Sequence, residues 1–325
     1  MHPIDINLAS RIIWRTVAIA QLMMIVALLV TKIDIVPAQI VRVYAGLVAL
    51  AALLFYAHWR GMTRLKELFE PLTVGLFFAL PITVATYAAI GVNMPLADQQ
   101  LAAWDRSLGF DWAGFIYAVD SHPALSKLLQ QSYGSFSKQS LFLLLFLGYQ
   151  RKAARAYAFS FAFLLLCLIS SLVSLYFPAL GTYVTYGITQ ENLSNINATY
   201  GFVFIEQFHS VRDQAVFTLD FDKLAGILTF PSVHAGLAVL CVWAAWGSKW
   251  LRYPFLILNI AMASSAVSHA NHYLVDVIAG FGAAALAIAV STSIFYRLEN
   301  GYSPVLSAWR KFAPTPSATE SPAAS

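Results

Sequence analysis

The chain has 325 residues, 59% of them hydrophobic and only 11% charged, with a formal net charge of +4. A soluble domain carries roughly 25% charged residues, so this composition excludes a soluble globular protein and reads as a multi-pass membrane protein. Lys and Arg flank apolar runs instead of gathering into a patch, which excludes a nucleic-acid partner.

Apolar runs near 11–31, 38–58 and 70–92 are each long enough to cross a hydrocarbon core of about 30 Å. The first follows Arg11 and Arg15 as a signal peptide would, but it is long and lacks a small-residue cleavage site, so it reads as a retained signal anchor. From Asn93 to Pro123 the chain turns mixed and acidic, with Asp98, Asp105, Asp111 and Asp120 set among Trp104, Phe110, Trp112, Phe115 and Tyr117. That pattern predicts amphipathic helix lying at the interface. A fourth span is expected over 126–149, polar in its first half and apolar in its second, and a fifth over 154–177.

Residues 178–229 form the longest stretch without a span, a length expected of a functional lid or entrance. Spans at 231–248, 252–269 and 272–296 follow, and the tail from Pro314, rich in Pro, Ser, Ala and Thr, reads as disordered. The expected fold is an all-α transmembrane bundle of about eight spans. Residues 1–66 form a two-span extension, 67–300 a six-span catalytic membrane domain and 301–325 a cytoplasmic tail. Cys167 and Cys241 both fall inside apolar runs, so no disulfide is expected.

An even number of spans puts both termini on one side. Arg11, Arg15, Arg60, Arg64, Lys66, Arg151, Lys152, Arg155, Lys249, Arg252 and Arg297 fall on that side, as do Arg310 and Lys311. The bias of short cytoplasmic loops toward Lys and Arg makes both termini cytoplasmic in a plasma (inner) membrane.

Two polar clusters then meet at the outer face. One is Phe230-Pro231-Ser232-Val233-His234 and the other His269-Ala270-Asn271-His272-Tyr273-Leu274-Val275-Asp276. The 34 mostly apolar residues between them, 235–268, with a basic break midway, suit one span out and one back. Pro231 is expected to open a helix whose free amides, with the Ser232 hydroxyl, suit a phosphate, and His234 stands beside it. His272 and Asp276 are four apart, one helical turn, so the carboxylate can hold one ring nitrogen and leave the other for a substrate. His269, His272 and Asp276 can also be read as a facial metal set. His2, His58 and His122 read as interfacial, and His209 stays open between the two readings.

Pro231-Ser232-Val233-His234 followed by His272-x-x-x-Asp276 resembles the type-2 phosphatidic acid phosphatase superfamily. The longer phrases Phe230 to Ala235 and His272 to Gly280 are most similar to its inositol phosphotransferase-like branch, related to inositol phosphorylceramide synthases. The resemblance runs over about 70–297. It implies metal-independent phosphoryl transfer through a phosphohistidine, with no cofactor and with a lipid phosphate or lipid-linked phosphate as substrate at the outer face. On that pattern His272 is the nucleophile, Asp276 its orienting partner, His234 the general acid on the leaving oxygen, and Ser232 cradles phosphate. Two of the superfamily's cationic motifs are missing: residues 176–181 carry no match to the first, and Ala266 stands where the third has arginine. Phosphate still needs neutralising, so Arg212 is the first substitute and Lys138 the second. Transfer to an inositol-like or sugar alcohol is the alternative to hydrolysis, and a catalytically silent lipid-binding relative is the alternative to an enzyme.

Overall fold

The computed structural model describes residues 2–297. The expected tail at 301–325 lies outside them, with Arg310 and Lys311. Helix α1 (Ile6–Val30) starts before the apolar run because Asp5 caps it, Oδ1 accepting from the amides of Asn7 at 3.0 Å and Leu8 at 3.1 Å. Pro37 takes the first position of α2 (Pro37–Trp59), where no amide proton is needed. Gly61, at φ +69°, reverses the chain into α3 (Thr63–Gly91).

Helices α4 (Asp98–Ser107) and α5 (Trp112–Asp120) occupy the stretch expected at the interface. Their aromatic and acidic residues do not all face outward. Trp112 is fully buried, its Nε1 donates to the Val267 carbonyl at 3.3 Å and the Tyr186 ring stacks on it. A tryptophan whose N–H finds a protein carbonyl has no need of the wet interface.

The expected fourth span is two helices, α6 (Pro123–Tyr133) and α7 (Phe136–Tyr149). Ser132 Oγ bonds back to the Leu128 carbonyl at 2.8 Å and Ser135 Oγ to the Ser132 carbonyl at 2.5 Å, on either side of Gly134. Hydroxyls that compete for helix carbonyls beside a glycine bend or break a helix. Helix α8 (Ala153–Tyr176) follows. The long segment after it folds into α9 (Thr182–Tyr186), α10 (Thr199–Phe202) and α11 (Ile205–Asp213). The chain closes with α12 (Val233–Ala245), α13 (Arg252–His269) and α14 (Leu274–Phe295).

Five helices, α1, α2, α3, α8 and α14, are long and apolar enough to cross a membrane, and α12 is apolar but shorter. Helices α7 and α13 fill the remaining places expected of spans. The result is an all-helical membrane bundle. Ile19, Leu22, Leu29, Val41, Phe55 and Trp59 point outward from α1 and α2, apolar surface that lipid tails rather than water would cover. Inside, α8 packs against α3 and α14, α12 against α13 and α14, and α6 lies along α13. Cys167 and Cys241 are buried in this interior.

Two short strand pairings fix which ends meet. Ile33–Ile35 pairs in parallel with Phe217–Leu219, tying the α1–α2 turn to the long segment. His2–Pro3 pairs antiparallel with Tyr296–Arg297, so the two ends of the described chain sit together. Helix α14, 22 residues or about 33 Å long, separates this end from its own first turn, where the second polar cluster lies.

Candidate active site

Helix α12 begins at Val233, two residues later than proline chemistry alone suggests. Ser232 is its N-cap, with Oγ accepting from the Ala235 amide at 3.3 Å, and Pro231 precedes the cap after a cis peptide. A serine hydroxyl can occupy a free helix amide, which proline cannot, so the cap falls on Ser232. The amides of Val233 and His234 have no protein partner among the described residues.

The start of α14 is built the opposite way. Tyr273 caps it, and Asp276, in its first turn, accepts from the Tyr273 amide at 3.0 Å. His272 therefore lies just outside the helix, not one turn along it as spacing suggests. The capping geometry still brings it to Asp276, with Nδ1 and Oδ2 3.1 Å apart and both side chains buried. With the proton on Nδ1, that nitrogen donates to the carboxylate and Nε2 keeps its lone pair. Nε2 lies 3.4 Å from Ser232 Oγ. The Ser232 amide donates to the Asp276 carbonyl at 3.0 Å, which latches the start of α12 to the first turn of α14.

His234, one position into α12, faces the same cavity as His272. The space is about 280 Å³ and is walled by Ile82, Thr86, Tyr87, Tyr133, Phe136, Phe163, Tyr200 and Phe204, with residues 224–229 of the long segment along one side. Ser232 and Asp276 support His272 from behind. The cavity lining has no Lys or Arg among the described residues.

The two expected cations lie elsewhere. The Arg212 guanidinium donates to the Met94 carbonyl at 2.9 Å and lies over the Phe208 ring, away from the cavity lining. Lys138 is exposed on α7 and does not line the cavity either. His209 is exposed on α11. His269 is buried but engages Ser268 Oγ at 2.8 Å and Ser126 Oγ at 3.4 Å, so it turns away from His272 and Asp276. Among the described residues no three His, Cys, Asp or Glu side chains converge as a metal site.

Sequence spacing missed two carboxylates that hold the second cluster in place. Asp105, fully buried on α4, accepts from the amides of Leu274 and Val275 at 2.9 Å each and so fills the N-terminus of α14 from another helix. Burial raises the Asp105 carboxyl above the ordinary carboxylate value, while the Val275 and Leu274 amides pull it down. Asp98, two turns earlier on the same helix, accepts from the Gly181 amide at 2.7 Å and the Tyr273 hydroxyl at 3.0 Å. Their i, i+7 spacing on one face of an amphipathic helix was the available signal. Asn271, at φ +69°, adds a stitch, with Oδ1 accepting from the Tyr183 amide at 2.6 Å and Nδ2 donating to the Gly201 carbonyl at 3.1 Å. Two helix N-termini thus approach the cavity, but carboxylates fill that of α14 and only that of α12 is open to an anion. Asp105→Ala orphans two half-buried amides of the first turn of α14, and it is expected to cost about 2 kcal/mol of stability and to lower turnover with little change in KM. Thermal unfolding in detergent and steady-state kinetics measure both, and a variant indistinguishable from wild type on both counts would refute the assignment.

No curated protein and no solved structure gives a significant match to the chain. A family model does: residues 99–290, more than half of the sequence and spanning both polar clusters, match the PAP2 superfamily, to which this chain belongs.

Proposed function

We propose that the protein is an integral membrane enzyme that moves a phosphoryl group of a lipid or lipid-linked phosphate through a phosphohistidine on His272, with both termini cytoplasmic and the site at the outer face of the plasma membrane. Superfamily membership supports a phosphatase or phosphotransferase type of activity. The observation that carries the mechanism is the imidazole of His272, held by Asp276 at Nδ1 and facing an otherwise neutral cavity that it shares with His234. Its free Nε2 is a nucleophile whose tautomer is fixed and whose developing charge is balanced by the carboxylate.

In the first step Nε2 attacks phosphorus, the bond from phosphorus to the leaving oxygen breaks, and a protonated His234 gives its proton to the departing alkoxide. In the second, water or an acceptor alcohol attacks the phosphohistidine and gives its proton back to His234 as the N–P bond breaks. The open amides of α12 with the Ser232 hydroxyl are the neutral donors available to the phosphate oxygens.

The lining favours one branch of this chemistry. A phosphomonoester brings close to two negative charges and calls for cations, whereas a phosphodiester brings one. A cavity without Lys or Arg suits the diester, and so transfer from a phosphodiester lipid to an alcohol, the reaction type of the inositol phosphotransferase-like branch. Purified protein given labelled monoester and diester lipids, with and without acceptor alcohols, is expected to turn over the diester, to form a new ester only with acceptor, to be inhibited by vanadate and to ignore chelators. Release of inorganic phosphate from monoesters alone would move the assignment to hydrolysis. Activity lost to a chelator and restored by zinc would overturn the phosphohistidine route.

A further inference from the structure

The His234 ring is held in an unusual way. The imidazole hydrogen bonds within the cavity belong to His272, and no polar partner for either nitrogen of His234 is found among the described residues. Its faces are covered instead. The Tyr133 ring lies nearly parallel to it, with centroids 4.0 Å apart and planes 11° apart, and the Phe136 ring sits at 4.4 Å, tilted by 46°. Tyr133 is the last residue of α6 and Phe136 the first of α7, so the two rings flank the break in the expected fourth span. The Tyr200 ring packs on Tyr133 from a further 5.0 Å.

We propose that Tyr133 and Phe136 are positioning residues for His234, an aromatic clamp that aims its nitrogens at the leaving oxygen in place of the hydrogen bond that usually orients a catalytic imidazole. The inference rests on the proposed phosphohistidine mechanism, in which His234 serves only the leaving group and the acceptor. Stacking restrains the ring plane but occupies neither nitrogen, which leaves one free to give and take the proton in each half-reaction. The electron-rich ring faces also attract the imidazolium that carries that proton, as aromatic rings attract other cations within about 6 Å. A hydrogen-bonding partner on the acting nitrogen would compete for the proton. An aromatic clamp does not.

The clamp is tested by separating the two halves of the chemistry. Tyr133→Leu removes the parallel ring, and turnover of alkyl phosphate esters is expected to fall by about 10- to 100-fold, part of the factor of roughly 10² to 10⁴ that a general acid supplies. Phosphoenzyme formation from an activated aryl phosphodiester, whose aryl leaving group needs no proton, is expected to fall far less. Tyr133→Phe keeps the ring and should recover most of the alkyl-ester turnover. Thermal unfolding in detergent monitors folding, and if Tyr133→Leu does not fold, Phe136→Leu is read in the same two assays with the same selective loss expected. Equal losses on aryl and alkyl substrates, or a Tyr133→Phe variant as poor as Tyr133→Leu, would overturn the clamp: the first would make Tyr133 part of the general scaffold and the second would assign the effect to its hydroxyl. Wild-type turnover of alkyl esters in Tyr133→Leu would overturn it as well. Failure of the underlying mechanism looks different, because then the wild-type protein itself forms no phosphoenzyme.

Discussion

His272→Ala is expected to abolish turnover on every phosphate ester, while His234→Ala fails on alkyl esters yet still forms phosphoenzyme from an activated aryl phosphodiester. The asymmetry follows from position. His272 has one nitrogen tied to Asp276 and lines the cavity, so in the proposed mechanism every substrate needs it as nucleophile. His234 has neither nitrogen tied among the described residues, and in the proposed mechanism it serves only the leaving or entering oxygen, so a leaving group that departs without a proton does not need it. Asp276→Asn falls between the two. It keeps an oxygen that can accept from the Tyr273 amide, but it lacks the charge that balances His272, and the comparable change in a Ser-His-Asp triad costs about 10⁴ in turnover. The measurement is a burst assay with a labelled aryl phosphodiester, quenched in acid and in base, since phosphohistidine survives base and not acid. Wild-type labelling of His272→Ala with none on His234→Ala would reverse the two roles.

Much of this molecule is legible in its sequence because a membrane turns composition into geometry. The apolar runs that became α1, α2, α3, α8 and α14 announce themselves by length, and the meeting of the two polar clusters follows from counting spans between them. The features that sequence did not reveal share a physical cause. Hydropathy is averaged over a window, so it reports that 126–149 is long enough to cross and is blind to the back-bonding serines and glycine that split it into α6 and α7. Spacing reports neighbours along a helix, so it pairs His272 with Asp276 but cannot show that Asp105 caps the same helix from 169 residues away. The need to neutralise a phosphate nominated Arg212 first and Lys138 second as substitute cations. In the fold the Arg212 guanidinium donates to the Met94 carbonyl and lies over the Phe208 ring, outside the cavity lining, a placement that sequence spacing cannot report.

Gly280→Ala is expected to disable the enzyme from the far side of the proposed phosphate site. A Cβ built on Gly280 of α14 would stand 2.3 Å from the Ser232 carbonyl oxygen and 3.3 Å from the Gly236 amide nitrogen, both backbone atoms of the α12 start. Contact at an ordinary 3.4 Å or more requires the two helices to part by about an ångström there. Neither obstacle is a flexible side chain that can swing aside. The move would pull Ser232 Oγ away from His272 Nε2, now at 3.4 Å, and strain the latch from the Ser232 amide to the Asp276 carbonyl, now at 3.0 Å. A misplacement of that size in a catalytic constellation costs about 10² in rate, and the overpacking itself costs about 1–3 kcal/mol of stability. Gly282, two residues on, supplies the control: it is exposed, and nothing lies within 4 Å of the Cβ it lacks. Gly282→Ala should leave turnover unchanged and hold the helix slightly better, since alanine favours helix over glycine by about 1 kcal/mol. Turnover and thermal unfolding of the two variants, prepared side by side, decide the matter: a Gly280→Ala enzyme as active as Gly282→Ala would mean that the close crossing of α12 and α14 does not set the distance between Ser232 and His272 on which the proposed mechanism relies.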